Sequence, residues 1–165
     1  MMNGRLRIIF AYMSFLVLLA FSANGLLINI TAESGDWPQF CHDSRHSGYS
    51  SSKIKNETEL AWTFNTSGAV RSSPAVANDM VYVGSDDGWV YALNMSSGDL
   101  IWSFKTQGAV KSSPLLSDHI LYVGSFDNRI YALDALSGAH IWNYTTDDDI
   151  EGSPSNWNGI VLIGN

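Results

Sequence analysis

From residue 59 onward, apolar and polar residues alternate in short runs broken by Gly, Asp, Asn and Ser. Met80 to Gly84 (MVYVG) is β-branched and aromatic and stops at a glycine. Trp89 to Leu93 (WVYAL) follows a turn at Asp86-Asp87-Gly88, and Leu100 to Thr106 (LIWSFKT) follows another at Ser96-Ser97-Gly98. Ala69 to Val76 (AVRSSPAV) is a further short run, rich in small residues. Period-two alternation, strand-forming residues and closely spaced turns predict strands. No stretch after residue 30 sustains a helical period. The predicted fold class is therefore all-β.

The strands belong to a repeat. Trp62, Trp102 and Trp142 recur every 40 residues. Ser73-Pro74, Ser113-Pro114 and Ser153-Pro154 keep the same interval, as do Gly84, Gly124 and Gly164. Tyr91-Ala92-Leu93 returns as Tyr131-Ala132-Leu133, and Gly98 returns as Gly138. Aligned on one another, 62–101 and 102–141 are about half identical. Self-similarity at this period, with four short strands per unit, predicts propeller blades.

One four-stranded sheet cannot bury both its faces. Set radially beside its copies, each face is covered by a neighbour. Small residues such as Ser72, Ser73, Ser112 and Ser113 suit the crowded centre. Pro74 and Pro114 belong near strand ends, since they have no N–H to pair. The indoles would close the wider outer gaps between blades, each N–H finding a partner. Glu59 to Thr66 reads as an outer strand completing a blade built from strands elsewhere. The third unit contains only the start of a blade, so the expectation is a partial propeller of roughly two and a half blades over 59–165, the amino-terminal piece of a longer ring.

The amino terminus reads differently. Residues 1–25 hold no Asp or Glu; Arg5 and Arg7 precede an apolar run from Ile8 to Phe21. That run has the length of a signal-peptide core and is too short to span a bilayer unaided. A second apolar run, Leu26 to Ile30, leaves a retained membrane anchor as the other reading. Both readings export the rest of the chain to the outside of the cell or its surface. Residues 26–58 form an amino-terminal extension before the repeats. Sequons at Asn29, Asn56, Asn65, Asn94 and Asn143 are candidate glycosylation sites in an exported chain.

Composition narrows the chemistry. The net charge is −7 and only 15% of residues are charged. An acidic chain without clustered Lys and Arg argues against nucleic acid. The single cysteine, Cys41, excludes an intrachain disulfide framework. Cys41-His42-Asp43 with His46 is the densest set of metal-ligating types, but the two histidines would need a helix that Pro38, Ser47 and Gly48 oppose. Asp147-Asp148-Asp149 with Glu151 reads as a solvated loop between blades. Asp86-Asp87-Gly88 and Asp127-Asn128 are turn chemistry without calcium-loop spacing. No catalytic, cofactor-binding or metal residue is assigned.

The segments ALNMSSGDLIW (92–102) and ALDALSGAHIW (132–142) resemble the Ala-x-Asp-x-x-Ser/Thr-Gly-x-x-x-Trp signature of the PQQ-repeat, quinoprotein-type propellers. That superfamily holds both quinoprotein alcohol dehydrogenases and the non-enzymatic outer-membrane assembly lipoprotein BamB. The resemblance implies that Trp62, Trp102 and Trp142 dock on adjacent blades, with Ala92, Ala132, Gly98 and Gly138 as structural partners. Asn94 departs from the family's Asp, which Asp134 keeps. Asp36-Trp37-Pro38-Gln39-Phe40 through His46-Ser47-Gly48-Tyr49 is similar to the opening that precedes such repeats in exported relatives. The expected function is an exported or cell-surface, non-catalytic scaffold. It would bind a protein or small ligand at the propeller face, through loops such as 77–80, 86–89 and 146–152. Membrane contact would come only from an uncleaved amino-terminal segment. The alternative is a fragment of a PQQ- and calcium-dependent alcohol or sugar dehydrogenase. The repeat signature is a packing device, and one cysteine cannot form the vicinal disulfide such enzymes carry.

Overall fold

The structure, a computed structural model, describes residues 36–42 and 59–165, and the backbone strands within 4–10, 20–22 and 25–30. Every regular element described is a strand. At the amino terminus these are β1 (Gly4–Phe10), β2 (Ala20–Ser22) and β3 (Gly25–Ile30), followed by β4 (Glu59–Thr66). The first complete blade comprises β5 (Ala75–Ala77), β6 (Met80–Gly84), β7 (Trp89–Asn94) and β8 (Leu100–Lys105). The second comprises β9 (Leu115–Ser117), β10 (Ile120–Ser125), β11 (Arg129–Asp134) and β12 (His140–Thr145). β13 (Ser155–Trp157) and β14 (Ile160–Leu162) form a hairpin that opens a third.

Both complete sheets are antiparallel meanders, ordered β5-β6-β7-β8 and β9-β10-β11-β12. The run from Ala69 is shorter as a strand than its sequence suggests. Only Ala75–Ala77 is paired, because Pro74 has no N–H to give and the residues before it serve the blade-to-blade connection. The register repeats as well. Tyr82 sits opposite Ala92, which sits opposite Trp102; Tyr122, Ala132 and Trp142 reproduce that row. In each blade the register shifts immediately after the alanine. A bulge there bends the outer strand and re-aims the indole. The side chain facing each indole across the strands is a single methyl, which leaves the ring room to lie against the sheet.

The core lies between blades. Ala75, Tyr82, Val90, Ala92 and Trp102 of the first blade pack with Leu116, Leu121, Val123, Tyr131 and Leu133 of the second. A smaller cluster joins Trp62 of β4 to Val76, Val81, Val83 and Leu93. β4 is an edge strand of a four-stranded sheet ordered β2-β3-β1-β4, whose other strands fall within residues 4–30, in or beside the segment read as signal or anchor and not in a further blade. It pairs antiparallel with Gly4–Phe10, which runs parallel to β3, with β2 on the edge opposite β4. Within the segment read as signal or anchor, residues 1–3, 11–19 and 23–24 lie outside the described residues. Among the described residues no helix is long and apolar enough to cross a membrane.

Candidate functional site

Each buried indole of the repeat reaches forward onto the next blade. Trp62 Nε1 donates to the Met95 carbonyl at 2.9 Å, and Trp102 Nε1 donates to the Ala135 carbonyl at the same distance. Under each ring lies the glycine of the following turn. Gly98 and Gly138 have φ of +75° and +71°, the left-handed region where a side chain is strained. A Cβ on Gly98 would stand 2.4 Å from the Trp62 ring, and one on Gly138 would stand 2.6 Å from the Trp102 ring. Glycine is therefore required twice over, by backbone conformation and by the indole face. Trp62 and Trp102 are each 8% exposed, whereas Trp142 is 42% exposed. Trp142 keeps its row with Ala132 and Tyr122 but has no following turn over it among the described residues, so it does not share the other two niches.

The turns beneath the indoles are built by one side chain each. Asn94 Oδ1 accepts from the Ser96 and Ser97 amides, both at 2.9 Å. Asp134 Oδ1 accepts from the Ser137 amide at 2.8 Å and from its hydroxyl at 2.6 Å. A carboxamide oxygen and a carboxylate oxygen thus do the same work, so the departure from Asp at Asn94 leaves the turn intact. Donation by Ser137 holds the Asp134 carboxyl below its ordinary range.

A second set of bonds ties the opposite end of each blade to its predecessor. Asp87 Oδ2 accepts from the Ser67 amide and from the Tyr91 hydroxyl, both at 2.9 Å. Asp127 Oδ2 accepts from the Gln107 amide at 2.8 Å and from the Tyr131 hydroxyl at 2.6 Å. Burial first, and then donation to these carboxylates, pushes both phenols above their ordinary range. From sequence alone the two aspartates read only as turn residues. Their 40-residue spacing was the available signal for a link between blades.

At the centre, the small residues of the inner strands are hydrogen-bonded. Ser72 Oγ accepts from the Gly84 amide at 2.8 Å and donates to its carbonyl at 3.0 Å. The Ser73 amide donates to Ser113 Oγ, and the Ser113 amide to Ser153 Oγ, each at 2.9 Å. One serine per unit thus passes a bond to the next unit around the axis.

The opening segment lies across the same inner edges. Trp37 and Val76 exchange both backbone bonds, at 2.6 and 2.8 Å. The Leu116 amide donates to the Pro38 carbonyl at 2.7 Å, and the Asn156 amide donates to Gln39 Oε1 at 3.3 Å. Val76, Leu116 and Asn156 are equivalent positions of three units. Beside them, Trp37 packs on His42 with ring centroids 4.6 Å apart.

The other candidates are dispersed. Cys41 and His42 are described, while Asp43 and His46 lie outside the described residues. Among the described residues no three His, Cys, Asp or Glu groups converge as metal ligands. Asp147, Asp148, Asp149 and Glu151 are exposed on the connection between β12 and β13. Of the sequons, Asn65 and Asn143 are exposed on strands, and Asn94 is engaged in its turn. Asn29 falls in β3, described by its backbone only, and Asn56 lies outside the described residues. In the expected contact loops, Asn78 and Asp79 are exposed, Asp86 and Asp87 are half-buried, and Ile150 is buried.

Comparison with known proteins agrees with this architecture. BamB from Moraxella catarrhalis superposes with a TM-score of 0.57 at 24% identity, over 64% of this chain and 34% of that one. The quinohemoprotein alcohol dehydrogenase from Comamonas testosteroni gives 0.70 at 27% identity, over 81% of this chain and 23% of that one. The quinohemoprotein alcohol dehydrogenase ADHIIG from Pseudomonas putida HK5 gives 0.70 at 28%, over 79% and 23%. The chain thus spans about a third of the BamB structure and under a quarter of the dehydrogenases. No curated protein sequence matches it. The sequence family described as outer membrane protein assembly factor BamB matches residues 52–159. With its indole niches, left-handed glycine turns and four-stranded blades in place, this chain is a member of that family and forms part of a PQQ-repeat β-propeller.

Proposed function

We propose that the protein is an exported, non-catalytic propeller scaffold of the cell envelope that binds a protein partner through its blade turns and propeller face. The observation that carries this reading is where the polar groups near the axis are spent. Ser72, Ser73, Ser112 and Ser113 are buried, and their bonds run within and between blades. The inner-strand amides of Leu116 and Asn156 are taken by the opening segment. Hydroxyls and alkyl groups are also a poor donor set for calcium, which prefers several converging carboxylate and carbonyl oxygens. Exposed polar side chains stand instead on the hairpin turns, at Asn78, Asp79, Asp118, His119 and Asn158. The family description as an assembly factor favours a protein ligand over a small molecule.

The second reading, a fragment of a quinoprotein dehydrogenase, draws support from the two alcohol dehydrogenases at 27% and 28% identity. Fold similarity alone does not choose between them. The test is to add PQQ and calcium to the full-length protein and record quinone absorbance and dye-linked alcohol oxidation. The scaffold reading expects neither binding nor turnover. In the same protein, photo-crosslinking residues at Asp79 and Asp118 should capture a protein in the cell envelope, and one at the outer-strand position Ser103 should not. Alcohol-dependent dye reduction would replace the scaffold with the enzyme.

A further inference from the structure

Three consecutive residues, Trp37, Pro38 and Gln39, meet three positions spaced by 40 residues, Val76, Leu116 and Asn156. An extended chain advances only about 3.3 Å per residue. Inner strands of neighbouring blades come that close only beside the axis, so the segment lies where the blades converge. The edge it uses is the axial one. Val76 pairs with Val81, Leu116 with Leu121 and Asn156 with Val161, each one residue in from the pair that closes a two-residue hairpin turn. In such hairpins that position turns its N–H and C=O away from the partner strand.

The links weaken along the segment. Trp37 holds Val76 by two backbone bonds, and Pro38 holds Leu116 by one at 2.7 Å. Gln39 holds Asn156 through its side chain at 3.3 Å, although the glutamine is only 4% exposed. The third position also departs from the repeat. Where the first two units carry Val and Leu, the third carries Asn, whose Nδ2 donates to Ser117 Oγ of the second blade at 2.6 Å. Its Oδ1 accepts from the Gly159 amide at 3.1 Å, bracing the turn of its own hairpin. Asn156 therefore joins the opening segment, the second blade and the third hairpin.

We propose that Trp37–Gln39 is an axial clasp that sets the spacing of three successive blades, with the Gln39 side chain as the latch holding the third. When the latch opens, the β13–β14 hairpin loosens while the first blade stays closed. Gln39 is thus a positioning residue, acting through Asn156, and the inference does not depend on what the propeller binds.

The experiment is native-state hydrogen exchange on the full chain, in the unmodified protein and in Gln39→Met and Gln39→Glu. In the unmodified protein the Asn156 amide should be protected, although it faces away from its hairpin partner. Gln39→Met keeps the shape but removes the acceptor, and should speed exchange across 155–162 by about fivefold to tenfold. Gln39→Glu, with all three proteins exchanged at about pH 4 so that the buried carboxyl stays neutral, retains an acceptor oxygen and should leave that protection near its original level. Residues 75–105 should not change in either variant. An unprotected Asn156 amide in the unmodified protein overturns the latch. So does Met loosening all three units equally, or Glu loosening the hairpin as much as Met.

Discussion

The indole of Trp102 lies flat against Gly138, 36 residues further along the chain, while its Nε1 donates to the Ala135 carbonyl at 2.9 Å. The ring satisfies its own donor, fills the gap between two blades and requires that the turn beneath it have no side chain. Trp62 stands in the same relation to Gly98 and Met95.

Trp102→Ala should cost about 3–5 kcal/mol, since it removes a large buried ring and its hydrogen bond. Trp142→Ala, at a position 42% exposed, should cost clearly less, about 1–2 kcal/mol in this chain. Denaturant unfolding of both variants measures the difference. Equal costs would mean that the interblade niche contributes nothing beyond the strand itself.

Gly138→Ala should destabilise by about 2 kcal/mol or more, because it combines a left-handed residue with a methyl pressed into the indole. Gly159→Ala separates the two effects. Its φ is +79°, but a Cβ there meets nothing within 4 Å. It should cost only the conformational part, about 1 kcal/mol. If the two substitutions cost the same, the indole is not what fixes glycine at 138.

Burial, followed by the charges of Asp134 and Asp36, pushes the Tyr82 phenol up to about 12. In an unfolded chain the same phenol ionises near ~10. The unfolded state therefore gives up its proton first. The stability contribution is complete below about pH 10 and is lost as pH rises toward about 12. Tyr91 and Tyr131 are shifted in the same direction. Alkaline titration should show late phenolate absorbance rising together with loss of the strand circular dichroism signal. Full ionisation of all tyrosines near pH ~10 with the fold intact would contradict it.

The strands from residue 59 onward, their turns and the repeat are legible in the residues alone, whereas β1, β2 and β3 fall in or beside the apolar segment that reads as a signal or anchor. Met80–Gly84 and Glu59–Thr66 are bounded as their residues suggest, because β-branched runs ending at Gly or at polar turns encode extended structure locally. The interval between tryptophans carried the blade, since equivalent residues in a solenoid-like array meet equivalent surroundings. Which surface each side chain meets is set by the packing of blade on blade. That Trp102 reaches Ala135, and that Asp127 reaches back to Gln107, follow from how blades are rotated about an axis, which no local pattern records. The separation of Trp142 from the other two tryptophans is of this kind. Its residue type and spacing are the same, but its exposure depends on what lies over it in space. The opening segment is the extreme case. Gln39 and Asn156 are 117 residues apart and break the repeat at both ends, so only the convergence of inner strands at the axis brings them into contact.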